Sequence, residues 1–530
     1  MRLKNYQYQL ESCLTILIAS VILLQLTQAL YHSWPFTTDD AFITWRYAHN
    51  LSAGQGLRWY STQVPVEGYS NFFWLVLAAL VIKLGLPLIL TMKSFACLSL
   101  FAALVFLYQF ARLFLTPLPA MLTVYLFSHY NGVAWWTVSG FETSFFVALA
   151  LLMNWQALRT VGFNKVDEQQ KEPNTRSYNP KAWVLCCLCL TLVALTRFEA
   201  VLWSAVLFIF MLCCHYRQPN LERLSSKIRI FTLCFILPYS LYFAWHLFYF
   251  GRFLPNSFAC KAAISTETFH LVKDYLQIAF PCLILGLPYL FSQKDCRALL
   301  LWVPSLLYCL LLWQADPVIA HYNRLFLAAF SVFTLLPVLG VREFFSYFHL
   351  RAMTNALLST LILLFFTLFF IPTNQLSLID TEVKHYQQRS EMRMQVAAYF
   401  NKNAAKNDRI LLADCGIIPF FARTDLEFID SECLNNHEMT SSIINRSLPL
   451  YANYLQETIK PDWVVRSYYP QWQRGNDLVE LLLKQHFFQN YHLVGIYQSH
   501  RFTQQQGKPQ QGEVDFVYQI YKRKKELGNE

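Results

Sequence analysis

The first chemically suggestive feature of the chain is a pair of adjacent carboxylates, Asp39 and Asp40, at the start of a short amphipathic pattern. An aspartate in front of a helix often accepts backbone N–H groups and suits the helix dipole. Because two neighbouring carboxylates repel each other, capping explains one of them better than both. The other is a candidate general base, with its neighbour as a cap, an orienting group or a metal ligand.

Further polar residues follow, and each has a functional and a structural interpretation. Arginines and lysines suit phosphate oxygens, and the candidates are Arg46, Arg197, Lys261 and Arg324. Acceptors and donors for sugar hydroxyls are Glu67, Glu142, Asn256, His321 and Tyr322. The structural alternatives are a solvated loop carboxylate for Glu67, a helix N-terminal charge for Glu142 and a mutual pair for Arg197 and Glu199. For Lys261 and Arg324 the alternative is snorkelling at a membrane interface.

Composition indicates that these residues belong to a membrane protein. The 530-residue chain is 55% hydrophobic and only 14% charged, whereas soluble domains carry about 25% charge. Runs of about 17–25 apolar residues are needed to span a bilayer. They predict about eleven transmembrane helices, near 13–32, 90–111, 118–138, 141–158, 182–198, 199–215, 230–250, 275–292, 298–313, 324–340 and 353–372.

The distribution of basic residues orients these spans. If the connections alternate from a cytoplasmic N-terminus, the cytoplasmic ones hold about twice as many Arg and Lys as the outer ones, which is the positive-inside bias. Counting the short apolar run 72–84 as a span would reverse everything after it. We therefore expect an interfacial helix there, and we expect nearly all the polar clusters on the outer side.

The composition changes near residue 373. Helical spacing in HYQQRSEMRMQVAAYF is followed by strand-like RILLAD, LEFID, DWVVRS and YHLVGIY, and Gly416 marks a strand-to-helix turn. The sequence thus predicts a membrane domain over 1–372, with an outer catalytic loop at 33–89, and an extracytoplasmic α/β domain over 373–530. If that domain lies outside the cell, Cys415 and Cys433 are candidates for a disulfide.

Several ordered motifs resemble those of one enzyme group. They are TDDAFITWRYAHNLSAGQGLRWY, VEGYSNFFW, SGFET, ALTRFEA, YFGRFLPNSFACK and HYNRLF, followed by ADCGIIPFF and EFIDSECLNN. Together they resemble the GT-C superfamily of polyprenyl-phosphate-sugar-dependent glycosyltransferases, and most of all the terminal β-(1→2)-arabinofuranosyltransferases and their bacterial relatives. Phe198 stands where that group has Pro, and Cys433 stands where it has Gly.

The resemblance implies a reaction and a place for it. The catalytic acid of the first outer loop maps onto the Asp39–Asp40 pair, with Asp40 favoured, and the basic residues would stabilise the leaving lipid phosphate. Some members of the group use a divalent metal such as Mg or Mn, for which Asp39 or Glu142 would be ligands, although the sequence requires none. The implied site is the outer face of a bacterial inner membrane.

Three functions remain open at this point. The first is inverting transfer of a sugar from a polyprenyl-phosphate donor to a cell-envelope glycan, lipopolysaccharide or other lipid-linked acceptor. The second is a transporter or flippase of lipid-linked sugars, which would often show internal repeats and broken helices. The third is a glycan polymerase or ligase with a diphosphate-linked donor. Soluble nucleotide chemistry lacks its usual Gly-rich motifs here, and no basic groove suggests nucleic acid.

Overall fold

The fold is given by a computed structural model that describes all residues except 1, 61–62, 164–177, 218–223, 265–269, 293–295, 314–316, 349–351, 373–374, 445–446, 473–486, 506–507 and 525–530. Helices dominate as far as residue 370, because the apolar runs of the sequence satisfy their backbone groups internally only as helices in lipid. The α-helices before that point are α1 (Arg2–Ser33), α2 (Asp39–Ser52), α3 (Phe72–Lys83), α4 (Leu88–Ala111), α5 (Pro117–His129), α6 (Asn131–Val138), α7 (Thr143–Thr160), α8 (Pro180–Thr196), α9 (Leu202–Arg217), α10 (Leu224–Phe231), α11 (Leu237–Phe250), α12 (Asn256–Ile264), α13 (His270–Ser292), α14 (Ala298–Leu311), α15 (Leu327–Phe333), α16 (Leu335–Ser346) and α17 (Ala352–Phe370).

The helices confirm a polytopic membrane protein, although they do not confirm eleven full spans. Six segments of the described chain are long and apolar enough to cross a bilayer, or seven if α6 and α7 count as one broken span. Several predicted spans are shorter as helices, such as Pro180–Thr196 and Ala298–Leu311. The predicted span 118–138 divides at Tyr130, where the backbone is extended. Helix α3 has only 12 residues, too few to span, and its interfacial position stays a prediction.

The C-terminal region forms the predicted α/β domain. Helix α18 (Leu376–Asn403) precedes a five-stranded sheet in the order β2-β1-β3-β5-β4, with short helices α19 (Ile417–Phe421), α20 (His437–Ile444) and α21 (Leu448–Tyr454) between its strands. The strands are β1 (Arg409–Leu412), β2 (Glu427–Asp430), β3 (Trp463–Tyr468), β4 (Tyr491–Gln505) and β5 (Lys508–Arg523). Strand β1 pairs in parallel with β2 and β3, and β5 pairs antiparallel with β3 and β4.

The described chain divides into two compact units that are each assembled from three segments. The first unit holds Met1–Tyr31, Lys93–Ala244 and Glu267–Gln375, and the second holds His32–Met92, Trp245–Thr266 and Leu376–Glu530. The loop that the sequence predicts to be catalytic, 33–89, therefore belongs to the same compact unit as the C-terminal region. The predicted boundary at residue 372 separates the membrane domain from the α/β domain along the sequence, and it stays a prediction.

Close helix packing in the first unit depends on small residues. A side chain at Gly340 in α16 would come within 2.7 Å of the Cα of Gly286 in α13. Such glycine contacts let helix backbones approach closely in lipid, where van der Waals packing drives association. The most apolar stretch of the segment Tyr322–Ser346, which includes α15 and α16, is fully buried. It forms the interior of the first unit.

A disulfide in the second unit ties α12 to the loop after β2. It joins Cys260 to Cys433, within a buried cluster that includes Leu411, Leu455 and Val464. The predicted Cys415–Cys433 disulfide is therefore wrong. Cys415 is a free buried thiol, whereas Cys260 lies in α12, a segment that hydropathy alone does not bring near the C-terminal domain.

Candidate functional site

Asp39 is bound by the C-terminal part of the second unit. Its Oδ1 accepts the backbone N–H of Ile417 at 2.9 Å, and its Oδ2 accepts that of Gly416 at 3.1 Å. The cap of its own helix is Thr38, without a side-chain hydrogen bond. Asp39 therefore does not cap its own helix, as the structural alternative in the sequence had it. It binds the start of α19, which lies more than 370 residues further along the chain.

Gly416 is required for this contact. A Cβ atom at this position would meet the backbone oxygen of Asp39 at 2.0 Å and its carboxylate at 2.4 Å. Both are closer than any side chain tolerates. The turn noted in the sequence at Gly416 is therefore the surface against which Asp39 lies, and not only a link between strand and helix.

An arginine from α18 completes the surroundings of Asp39. Arg393 lies 3.4 Å from Asp39 and 3.2 Å from Asp414, and it donates to the hydroxyl of Tyr518 at 3.1 Å. The Tyr518 hydroxyl donates to Asp414. We call these four residues the aspartate cluster. Burial raises the pKa of Asp39 to about 6, and the nearby Arg393 opposes that rise.

Asp40 differs from its neighbour in having no such partners. Its side chain is half-buried, and within the described ranges no residue forms a hydrogen bond or ion pair with its carboxylate. Consecutive residues of a helix point about 100° apart, so the contacts that hold Asp39 do not engage Asp40. The structure thus separates the pair into one fixed carboxylate and one that remains available.

Arg46 holds α2 to the same C-terminal segment. Its Nε donates to the Trp59 carbonyl at 3.0 Å, one terminal nitrogen donates to the Pro419 carbonyl, and the guanidinium lies over the rings of Trp59 and Phe428. Burial lowers the pKa of Arg46 to about 10. A phosphate would have to displace these bonds, so the phosphate role of Arg46 stays a prediction that the geometry does not favour.

Glu67 is buried and paired with a histidine. Its Oε2 lies 2.5 Å from Nε2 of His246, and burial raises the pKa of Glu67 while His246 opposes the rise. A solvated loop carboxylate is therefore excluded for Glu67. Its side chain lines a cleft together with Arg252, Asn256 and His437.

Asn256 serves first as a clamp on the disulfide-bonded loop. Its Nδ2 donates at 2.8 Å to the carbonyls of both Cys433 and Leu434, and its Oδ1 accepts from Arg252 at 3.2 Å. Arg252 also donates to Ser441 at 2.7 Å. The amide nitrogen of Asn256 thus has its hydrogen bonds within the protein, and contact with a substrate stays a prediction.

A second charged cluster lies in the first unit. Glu142 is fully buried and accepts from Arg197 at 2.8 Å and from Arg324 at 3.4 Å, and Arg197 also donates to Glu199 at 2.6 Å. We call Glu142, Arg197, Glu199 and Arg324 the arginine–glutamate cluster. It contains the predicted Arg197–Glu199 pair, and it adds two partners from distant segments.

The backbone around this cluster is irregular. Helices α6 and α7 meet at 116°, and Glu142 stands at the bend. Arg324 follows two residues with left-handed backbone, Tyr322 at φ 50° and Asn323 at φ 51°. Such conformations are unfavourable for side chains with a Cβ and concentrate at functional sites. The Tyr322 ring packs edge-on against Trp135, with 5.8 Å between centroids.

Two predicted site residues lie outside what the structure describes at the level of side chains. Lys261 is in the last turns of α12, and His321 is in a 3-10 segment, Pro317–Phe326. Their phosphate and substrate roles stay predictions.

Comparison with known proteins identifies the architecture. ArnT from Cupriavidus metallidurans, solved with undecaprenyl phosphate bound, aligns over 95% of this chain and 97% of its own, with 10% identity and a TM-score of 0.54. The chain has the GT-C fold. An oligosaccharyltransferase from Archaeoglobus fulgidus, tethered to an acceptor peptide, aligns over 93% of this chain and 74% of its own, with 9% identity and a TM-score of 0.54.

Comparison of the sequence with protein-family models gives one match. Residues 381–521 match a family model described as a domain of unknown function, DUF8728. No curated protein matches the chain. The matched region covers most of the C-terminal α/β domain and includes Arg393, Asp414 and Tyr518 of the aspartate cluster.

The acidic residues do not assemble into a metal site within the described part of this GT-C fold. There, no group of three or more His, Cys, Asp or Glu side chains is arranged to hold a metal ion. Asp39 faces backbone N–H groups and Arg393, and Glu142 faces two arginines. These donors occupy the oxygens that Mg or Mn would need, so the two residues do not fit a metal and we assign it no step.

Some residues around the site were missed by sequence reasoning. Arg393 lies in a pattern that predicts an ordinary helix, and strand β5, which carries Tyr518, was not predicted. The alternating VDFVYQIY run was the available signal for that strand. His246 lies in a predicted span, where an ionisable residue was itself a signal of function.

Proposed function

We propose that this protein is a membrane glycosyltransferase that moves a sugar from a polyprenyl-phosphate donor to a hydroxyl of a cell-envelope glycan or lipid-linked acceptor. The carrying observation is the division of labour between Asp39 and Asp40 at the start of α2. The carboxylate of Asp39 is fixed by the C-terminal domain, and the carboxylate of Asp40 remains available to accept a proton. The GT-C fold, shared with a structure that holds undecaprenyl phosphate, supports a donor of that lipid class.

In the proposed reaction Asp40 takes the proton from the acceptor hydroxyl. The hydroxyl oxygen then bonds to the anomeric carbon, the bond from that carbon to the phosphate oxygen breaks, and polyprenyl phosphate leaves with the bonding electrons. Attack from the face opposite the phosphate inverts the anomeric configuration. A positioned general base of this kind accelerates a reaction by about 10²–10⁴-fold.

Arg197 and Arg324, the candidates from the sequence, are the proposed stabilisers of the leaving phosphate. Arg324 contacts Glu142 at 3.4 Å, and Arg197 is bound by Glu142 at 2.8 Å and by Glu199 at 2.6 Å. A cation that is already close to two carboxylates has less capacity for a phosphate. Lys261 remains in the proposal on its sequence position alone.

We propose that the second unit faces an oxidising compartment, as expected for the outer face of a bacterial inner membrane. The Cys260–Cys433 disulfide supports this orientation, since disulfides persist in the periplasm and are rare in the cytosol. Alkylation of whole cells with a maleimide that does not cross the inner membrane tests it. A single-cysteine reporter at an exposed position of β4 should react without lysis. Reaction only after lysis would contradict the orientation.

The proposal for the sugar and the acceptor is supported by the resemblance of the sequence motifs. The ordered motifs favour an arabinofuranose-like donor. The Cys- and Gln-rich composition is not typical of mycobacterial proteins, and it therefore argues against an arabinan as the acceptor. Mass spectrometry of surface glycans from a deletion strain tests this point. Loss of one pentose residue is the expected result, and unchanged glycans would contradict the proposal.

A second candidate function follows from the similarity to the oligosaccharyltransferase. That likeness favours transfer of a whole oligosaccharide as the alternative reaction. We pair this reaction with the diphosphate-linked donor of the third hypothesis drawn from the sequence. The purified protein in proteoliposomes should be given donors that differ only in carrying one or two phosphates. We expect release of lipid monophosphate from the first donor only. Consumption of the diphosphate donor alone would establish the alternative, and movement of intact donor between leaflets would indicate a transporter.

A further inference from the structure

Helix α2 is joined to the C-terminal domain at two levels that lie about two helix turns apart. Asp39 accepts the N–H groups of Gly416 and Ile417, and Arg46 donates to the carbonyl of Pro419. Between them, Phe42 packs edge-on against Phe420, with ring centroids 5.2 Å apart. The segment 416–421 therefore fixes the rotation of α2 about its axis, and with it the direction in which Asp40 points.

This arrangement depends on a buried cation. Three oxygen groups surround the Arg393 guanidinium: the carboxylates of Asp39 and Asp414, and the hydroxyl of Tyr518. The side chain of Arg393 is 11% exposed, and that of Asp39 is 14% exposed. Without the arginine, the two partly buried carboxylates of Asp39 and Asp414 would repel each other, and α2 would no longer be held to the segment after β1 by this contact.

We propose that Arg393 is a positioning residue for the reaction, which holds Asp40 in its working direction through Asp39 although it does not touch Asp40. This inference rests on the function proposed above. It gives the domain matched by DUF8728 a role in catalysis: the domain supplies the groups that set the geometry of the base. A displacement of the base of about 1 Å is enough to lower turnover by about 10²-fold.

The chain offers a matched control one helix turn away. Arg389 lies four residues earlier on α18, its side chain is 13% exposed, and it pairs with Asp515 at 2.5 Å. It resembles Arg393 in residue type, helix, burial and ion pairing, whereas its partner Asp515 belongs to β5 and makes no described contact with α2. A general loss of domain stability would affect both arginines, and a loss of positioning would affect Arg393 alone.

The test compares Arg393→Met, Arg393→Lys and Arg389→Met in the full-length protein, with donor turnover and the KM for donor measured on correctly inserted enzyme. We expect Arg393→Met to lower kcat by at least about tenfold with KM unchanged, Arg393→Lys to restore part of kcat, and Arg389→Met to keep wild-type kcat. Equal losses in Arg393→Met and Arg389→Met would overturn the proposal, as would full kcat in Arg393→Met.

A second variant approaches the same contact without changing charge. Gly416→Ala forces the backbone of Asp39 away, because the added Cβ would lie 2.0 Å from its carbonyl oxygen. We expect the same fall in kcat at constant KM, and wild-type kcat would overturn the proposal even if Arg393→Met fails to insert. Failure of the proposed function is distinguishable, because wild-type protein would then transfer no sugar from any monophosphate donor.

Discussion

The two charged clusters of this chain both combine arginines with carboxylates, in different proportions. In the arginine–glutamate cluster, two arginines meet two glutamates, and each carboxylate has a guanidinium within 3.4 Å. In the aspartate cluster, one arginine serves two carboxylates, and Asp40 beside them has no described partner. A balanced cluster holds its segments together, whereas an acid left over next to a fixed one is available for chemistry.

The strongest test of this comparison is removal of Glu142. Glu142→Ala leaves the charges of Arg197 and Arg324 buried without their shared carboxylate, and breaking a buried pair in this way costs about 3–5 kcal/mol. We expect that loss in the free energy of unfolding in mixed micelles, followed by tryptophan fluorescence. Asp40→Asn is the matched substitution beside the aspartate cluster, and it should alter the free energy of unfolding by less than about 0.5 kcal/mol. Equal effects of the two substitutions would remove the distinction between the clusters.

The pH dependence of stability probes the aspartate cluster. The pKa of Asp39 is raised to about 6 from 3.8, so the folded protein binds this proton more tightly than the unfolded chain does. The associated stability is fully present below about pH 4 and is lost as the pH rises through about 6, by about 3 kcal/mol for a shift of this size. Arg393, Asp414 and Asp40 are the charged groups that face it.

Asp39→Asn isolates this contribution. The free energy of unfolding should be measured from pH 4 to pH 7 in the wild type and in Asp39→Asn. We expect the wild type to lose stability across this range. The variant should lose less, and the difference between the two losses should be at most about 3 kcal/mol. Parallel pH profiles of the two proteins would show that Asp39 is not the group responsible.

A smaller effect is expected at Cys433, where the second unit has a left-handed backbone of φ 64°. Glycine adopts this conformation freely, whereas a residue with a Cβ is disfavoured by about 1–2 kcal/mol. Both Cys433→Gly and Cys433→Ala remove the disulfide to Cys260. We expect the glycine variant to be more stable than the alanine variant by about 1 kcal/mol in chemical unfolding. A more stable alanine variant would contradict the backbone assignment.

The sequence predicted the features that depend on local pattern. Hydropathy and charge bias predicted a polytopic membrane protein, and short apolar runs typical of buried strands predicted β1 to β4. The resemblance to glycosyltransferases anticipated the GT-C fold. The departure from glycine at Cys433 also marked a real constraint, since that residue has positive φ. These features could be predicted because each is encoded within a few consecutive residues.

The pairings that define the two clusters could not be predicted in this way. Asp39 finds its partners at Gly416 and Ile417, and Arg393 reaches Asp39 from a helix that reads as an ordinary amphipathic one. Hydropathy also overestimated the spans, because a run such as 118–138 contains a break at Tyr130 that apolar composition does not reveal. Long-range contacts of this kind depend on how the segments of each unit assemble.

The most direct test of the central claim is donor turnover by Asp40→Asn and Asp39→Asn, each inserted in proteoliposomes with a polyprenyl-monophosphate sugar and an acceptor glycan. The loss of a general base predicts that Asp40→Asn lowers turnover by about 10²–10⁴-fold. Asp39→Asn, which keeps the shape of the side chain, should retain more activity than Asp40→Asn. Full turnover in Asp40→Asn would contradict the assignment of Asp40 as the base.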